Sequence, residues 1–241
     1  MSGVSQFNLL RTQRFLPLFL TQFLGAFNDN LLKNAVVVLI NFHGMHMLGL
    51  APELMIQLTA ALFILPFFLF SASSGQICEK YDKAQVARFV KKLEIGIMLV
   101  AALGFLLHNG MILMSTIFLM GLHSTLFGPL KYSVLPQYLQ PAELVGGNGL
   151  IEMGTFVSII LGQVAGTVLI GADESRLLLI AVLLLCAVAG YQASRHMPPA
   201  ASSGAATPID WNFLRQTWQI IQHAPHLVAV PLVEAARLKA G

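Results

Sequence analysis

The sequence predicts an all-α membrane protein of six transmembrane helices, and three observations carry that expectation. Hydrophobic residues make up 56% of the 241-residue chain and charged residues 10%, where an ordinary soluble domain is about 25% charged. The apolar residues gather in stretches of about 20, the length that crosses a bilayer as a helix. Lys and Arg are concentrated between alternate stretches, as in a multi-pass chain with one basic side.

Taken in order, the expected spans are residues 15–41, 54–74, 89–107, 111–127, 148–170 and 177–194. Arg11 and Arg14 ahead of the first span look superficially like a secretory signal. The apolar run is too long for one, is broken by Asp29 and ends in no small-residue cleavage site, so an uncleaved first span is expected. The fourth span is short as drawn and is expected to continue through Gly128-Pro129 as a kinked helix. Lys80, Lys83, Arg88, Lys91 and Lys92 lie between spans two and three, Lys131 follows span four and Arg195 follows span six. Only Arg176 falls on the other side. Both termini are therefore expected in the cytoplasm.

Residues 1–195 form the expected bundle. Residues 196–208, rich in Pro, Ala and Ser, read as a linker with no reason to pack. Residues 209–223 read as an amphipathic helix on the cytoplasmic surface, and 224–241 as a tail whose short apolar run is broken by Pro231. Six spans with both ends on one side suggest half of a transporter built from three-plus-three inverted repeats, in which helices one and four correspond.

The first span carries Asn28, Asp29, Asn30, Lys33 and Asn34 at its middle. An ionised group at the bilayer centre costs about 2.5–3.5 kcal/mol on insertion scales, so such residues face protein or water. At 100° per residue Gln22, Ala26, Asp29 and Lys33 share one stripe, with Asn30 at its edge. Asp29 and Lys33, one turn apart, could also simply neutralise each other. Lys131 and Tyr132 at the end of the fourth helix are either an interfacial anchor or a cation at a cavity mouth, suited to an anionic group such as phosphate. Glu152 in the fifth span is either an acid favoured by the helix amino end or a cavity carboxylate. Gly162 and Gly166, four apart, allow close helix approach without a ligand.

The charged stretch after span two contains Gly75, Glu79, Lys80, Asp82 and Lys83. Enzyme signatures are absent from the sequence: there is no phosphate-binding Gly loop before Lys-Ser or Lys-Thr and no His-Glu-x-x-His. No cofactor is expected. His43 and His46 lack a third metal ligand, and Cys78, read into a loop, and Cys186, in a span, suggest neither a disulfide framework nor a metal site. The basic residues are not gathered on a soluble domain, which gives nucleic-acid binding no support.

The combination QFLGAFNDNLLKNA in span one, FGPLKYSVLP after span four and LVGGNGLIEMGT opening span five resembles the lysophospholipid transporter family of the major facilitator superfamily, the bacterial inner-membrane flippases. The stretch from Gly75 to Lys83 resembles that superfamily's gating loop, with Glu79 where an Asp is usual and Asp82 where a second Gly is usual. The resemblance implies half of a major-facilitator fold that moves lysophosphatidylethanolamine-type lipids across the inner membrane. It implies Asp29 as the central acid of helix one, Lys131 as the cation after helix four and Glu152 as a further cavity residue. Gln22, Asn30 and Lys33 join them through the helical stripe. The implied partners are the lysophospholipid, membrane lipid, a carboxy-terminal transporter half and an acyltransferase, to which some members are fused. An ion-coupled small-molecule exporter and a nonfunctional half-bundle are the alternatives. Truncation is the expected reason that no second half follows, with little transport expected from the isolated chain.

Overall fold

The computed structural model describes residues 6–42, 49–171 and 176–202, together with Arg215, Trp218 and Gln222. Six long helices account for most of them: α1 (Leu16–Phe42), α2 (Pro52–Lys80), α3 (Lys83–Leu106), α4 (Gly110–Tyr138), α5 (Leu144–Gly171) and α6 (Arg176–Arg195). No strand occurs among the described residues. Five of the six are long and apolar enough to cross a membrane. The exception, α3, is diluted by charges, yet Lys91 and Glu94 within it are completely buried.

Local chemistry sets the helix ends. Asp82 caps α3 by accepting from the Gln85 amide at 2.9 Å, and Asn109 caps α4 by accepting from Ile112 at 3.1 Å. Between α3 and α4, His108 takes a left-handed φ of 52°. The amides of His108 and Asn109 bond back to Phe105 and Gly104, closing α3 in a Schellman turn with His in place of the usual Gly. Helix α4 runs unbroken through Pro129 and Pro136, so the expected continuation past Gly128 is present.

Helix α1 packs between α5 and α6, α4 packs between α2 and α3, and α3 meets α6. This pairing is unchanged when α1 is exchanged with α4, α2 with α5 and α3 with α6, the relation that two three-helix repeats require. Helices α2 and α5 bury the least of their length and turn Phe68, Phe156 and Val168 outward. Close approach of α1 and α5 depends on glycine: a Cβ at Gly162 or Gly166 would lie 2.5 Å from the Phe27 carbonyl oxygen or 2.7 Å from that of Leu31.

Two apolar clusters fill the bundle, one around Leu32, Met98 and Ile117, the other around Leu18, Val90 and Leu135. The polar residues of α1, α3 and α4 lie between them, a layer of charge sandwiched by hydrocarbon-like packing.

The structure corrects several readings at the end of the bundle where α2 gives way to α3. The expected gating loop is a two-residue turn, Tyr81 and Asp82, because α2 extends to Lys80 and α3 starts at Lys83. Gly75, Glu79 and Lys80 are therefore helical, and Cys78 is buried in α2 rather than placed in a loop. Lys91 and Lys92, counted as loop charges, lie inside α3. Residues 196–202 also pack where composition predicts nothing to hold them. Met197 and Ala200 are buried. Ala200 N–H donates to Asp82 Oδ2 at 3.0 Å, Lys83 Nζ donates to the Ala201 carbonyl at 2.8 Å and Arg88 donates to that of Met197 at 3.2 Å. The rest of the linker, the helix expected over 209–223 apart from the helical Arg215, Trp218 and Gln222, and the tail lie outside the described residues.

Candidate functional site

The polar stripe of α1 forms one wall of a cavity of about 410 Å³. Gln22, Asp29, Asn30 and Lys33 reach it from α1, Phe63 and Phe67 from α2, Lys91 from α3, and Thr155 from α5. Helix α4 adds His123, Ser124, Lys131 and Tyr132. The wall is thus mixed, with charged side chains set among aromatic rings.

Asp29 is buried and accepts a hydrogen bond from the Ser124 hydroxyl, while its Oδ1 has no partner. Gln22 donates to the Thr155 hydroxyl and leaves Oε1 unpartnered. Asn30 bonds back to its own helix at the Ala26 carbonyl, 2.7 Å away. No Asp29–Lys33 ion pair forms among the described residues: Lys33 Nζ instead sits 3.9 Å from the Phe63 ring centroid, a cation on an aromatic face. The simple neutralising pair left open by their spacing is absent.

Lys131 and Glu152 do meet, with Nζ 3.4 Å from Oε1, and the Tyr132 hydroxyl donates to the same oxygen at 2.5 Å. Glu152 is the more open partner, its side chain 41% exposed against 16% for Lys131. An exposed ion pair is worth at most about 1 kcal/mol, so a ligand bearing both charges could exchange with it at little cost. Asn34, part of the same polar run, turns away into the α1–α5 contact and donates to the Gln163 carbonyl at 2.7 Å. Gly75, Glu79, Lys80, Asp82 and Lys83 do not line the cavity. Asp82 and Lys83 hold residues 200 and 201 instead.

A second polar group, behind the stripe, escapes the sequence reading. Glu94 accepts from Lys91 Nζ at 2.7 Å and from Asn28 Nδ2 at 3.0 Å, and His123 Nε2 lies 3.3 Å from Glu94 Oε2. Lys91 fits because two helices offer glycine there: a Cβ on Gly25 would stand 2.5 Å from its Nζ and one on Gly190 3.5 Å. His123 stands in an otherwise apolar stretch and was a signal by the rule that flags Asp29, whereas Glu94 follows Lys91 and Lys92. Lys91 was masked by the basic residues that precede it.

No family model matches the chain. Curated relatives do. The Lysophospholipid transporter LplT of Escherichia coli strain SE11 is 30% identical over 196 residues, covering 81% of this chain and 45% of the relative. The proteins of the same name from Escherichia fergusonii and from Shigella boydii serotype 18 are each 29% identical over 196 residues. The chain thus spans a little under half the length of the curated relatives it matches, and those relatives are named as transporters rather than enzymes.

Proposed function

We propose, for a chain that is a homologue of the lysophospholipid transporters, that its six helices supply one wall of a pathway along which a lysophosphatidylethanolamine-type lipid crosses the bacterial inner membrane. The observation that carries the reading is the convergence of Asp29, Lys33 and Lys131, from two helices, on one cavity with an aromatic wall. A lysolipid head bears a phosphate and, in the ethanolamine case, an ammonium. Both lose hydration on entering a bilayer and need charged partners in exchange. Asp29 Oδ1, unpartnered, suits the ammonium. Lys33, set against the Phe63 ring, and Lys131, lightly held by Glu152, suit the phosphate. Gln22 and Asn30 complete the polar wall. The single acyl chain lies against Phe63 and Phe67. No bond is made or broken.

The transport cycle is alternating access, and the opposite wall comes from a second set of helices, as the greater length of the relatives suggests. Both described ends of the bundle face the cytoplasm, which the Lys and Arg bias supports. The turn between α2 and α3, with Glu79, Lys80, Asp82 and Lys83 around it, acts at the cytoplasmic side of the gate. A reacylating acyltransferase is the enzyme class that would consume the delivered lipid.

Lysophosphatidylethanolamine binding to the purified chain in nanodiscs tests the site. Asp29→Asn and Lys131→Ala are each expected to weaken binding at least about tenfold, roughly 1.4 kcal/mol. Wild-type affinity in both variants would remove these residues from the site.

A further inference from the structure

A basic seam runs along the contact of α3 with α6, at the end of the bundle where α3 begins and α6 finishes. Arg88 and Lys92 lie one turn apart on α3, and Tyr191 and Arg195 one turn apart on α6, so each pair leaves its helix on one side. Small residues let α6 come close: Ala187 and Ser194 are completely buried, and Gly190 stands against the Lys91 side chain. The larger side chains then flank the contact. Arg88 donates to the carbonyls of Ser194 at 3.4 Å and Met197 at 3.2 Å, and Lys92 Nζ lies 5.8 Å from the Tyr191 ring centroid. Lys92 and Arg195 are exposed and Arg88 is half-buried. Arg195 reaches only the Gln192 side chain of its own helix, at 3.4 Å. No ion pair to any of these three cations occurs among the described residues. The carboxylates nearest on α3 are committed elsewhere, Asp82 to the amides of Gln85 and Ala200 and Glu94 to Lys91 and Asn28. Farther along the same two helices Leu99, Leu185 and Val188 are exposed.

We propose that the α3–α6 seam binds the headgroup of an anionic phospholipid of the surrounding bilayer, with the acyl chains laid on Leu99, Leu185 and Val188. The phosphate oxygens accept from Lys92 and Arg195, and Arg88, fixed by two carbonyls that leave its charge uncancelled, adds to the field. Long basic side chains reach outward from the hydrocarbon to the headgroup level, and Tyr191 between them has the amphipathic ring that this level favours. Basic pockets between spanning helices hold anionic headgroups for these reasons. A zwitterionic phospholipid brings its own ammonium to the three cations and gains less. A soluble anion meets the cations but covers none of the apolar surface beyond them. The site is separate from the transport pathway, since neither Arg88, Lys92, Tyr191 nor Arg195 lines the cavity.

The test uses the full chain, purified and delipidated in detergent, with native mass spectrometry counting bound phosphatidylglycerol and phosphatidylethanolamine of identical acyl chains. We expect phosphatidylglycerol to bind about thirtyfold more tightly. Lys92→Gln and Arg195→Gln should each weaken it about fivefold, the effect of one cation at a membrane surface, and together bring it to the level of phosphatidylethanolamine. Lys92→Arg, which keeps the charge, should bind as wild type. Arg11→Gln removes an exposed cation elsewhere and should leave the preference intact. Equal binding of the two lipids by the wild type overturns the proposal. So does an undiminished preference in the double variant, or a loss in Arg11→Gln as large as in Lys92→Gln. Displacement of phosphatidylglycerol by inorganic phosphate at matched ionic strength would also overturn it, in favour of a free anion. Loss of both lipids in Lys92→Gln would mark a lost fold, and Arg195→Gln at the helix end would then decide the matter alone.

Discussion

Asp29 and Lys91 show two ways of keeping a charge inside a membrane bundle. Asp29 is held by a single hydroxyl and leaves one oxygen without a partner, whereas Lys91 is locked against Glu94 with both side chains essentially inaccessible. Removing one partner of such a buried pair strands the other, at a cost of about 3–5 kcal/mol. Lys91→Ala should lower the stability of the folded chain by that amount in reversible unfolding in detergent. Replacing Lys91 and Glu94 together by Met and Leu should recover most of the loss. Equal damage from the double and single variants would mean that the pair is not the unit. The sequence made Asp29 legible because a carboxylate amid Leu and Phe has no other explanation. Lys91 was not legible, because a Lys eight residues past a helix start looks the same whether its neighbours are water or Gly25 and Gly190.

Helix identities could be read from hydropathy, but helix ends could not. Span lengths were drawn to the hydrocarbon thickness, whereas α2 and α4 each run for 29 residues. Backbone hydrogen bonding continues past the apolar stretch until a cap such as Asp82 or Asn109 ends or restarts it. Two identical substitutions separate the resulting readings of glycine. Gly75 is now inside α2 with nothing near a Cβ, so Gly75→Ala should stabilise by up to about 1 kcal/mol through helix propensity alone. Gly166→Ala would push a Cβ against the Leu31 carbonyl and should destabilise by about 1–3 kcal/mol. Thermal unfolding of the two variants side by side reads both signs. Destabilisation by Gly75→Ala would return that residue to a turn.

At the scale of the molecule, α1 pairs with α5 and α4 with α2, and the cavity they share is also reached by Lys91 of α3. The repeat relation was readable from six spans with both ends on one side. The packing of residues 196–202 was not, since Pro, Ala and Ser are held there through their backbone by Asp82, Lys83 and Arg88. Side-chain composition carries no trace of such bonds. The central question is where a lysolipid head rests. The decisive measurement is photo-crosslinking of the chain in nanodiscs, with a lysophosphatidylethanolamine carrying its reactive group at the head, followed by peptide mapping. The prediction is labelling within residues 22–33 and 123–132, suppressed by excess unlabelled lysolipid. Labelling confined to the outward faces of α2 and α5 around Phe68 and Phe156, with no competition, would contradict it.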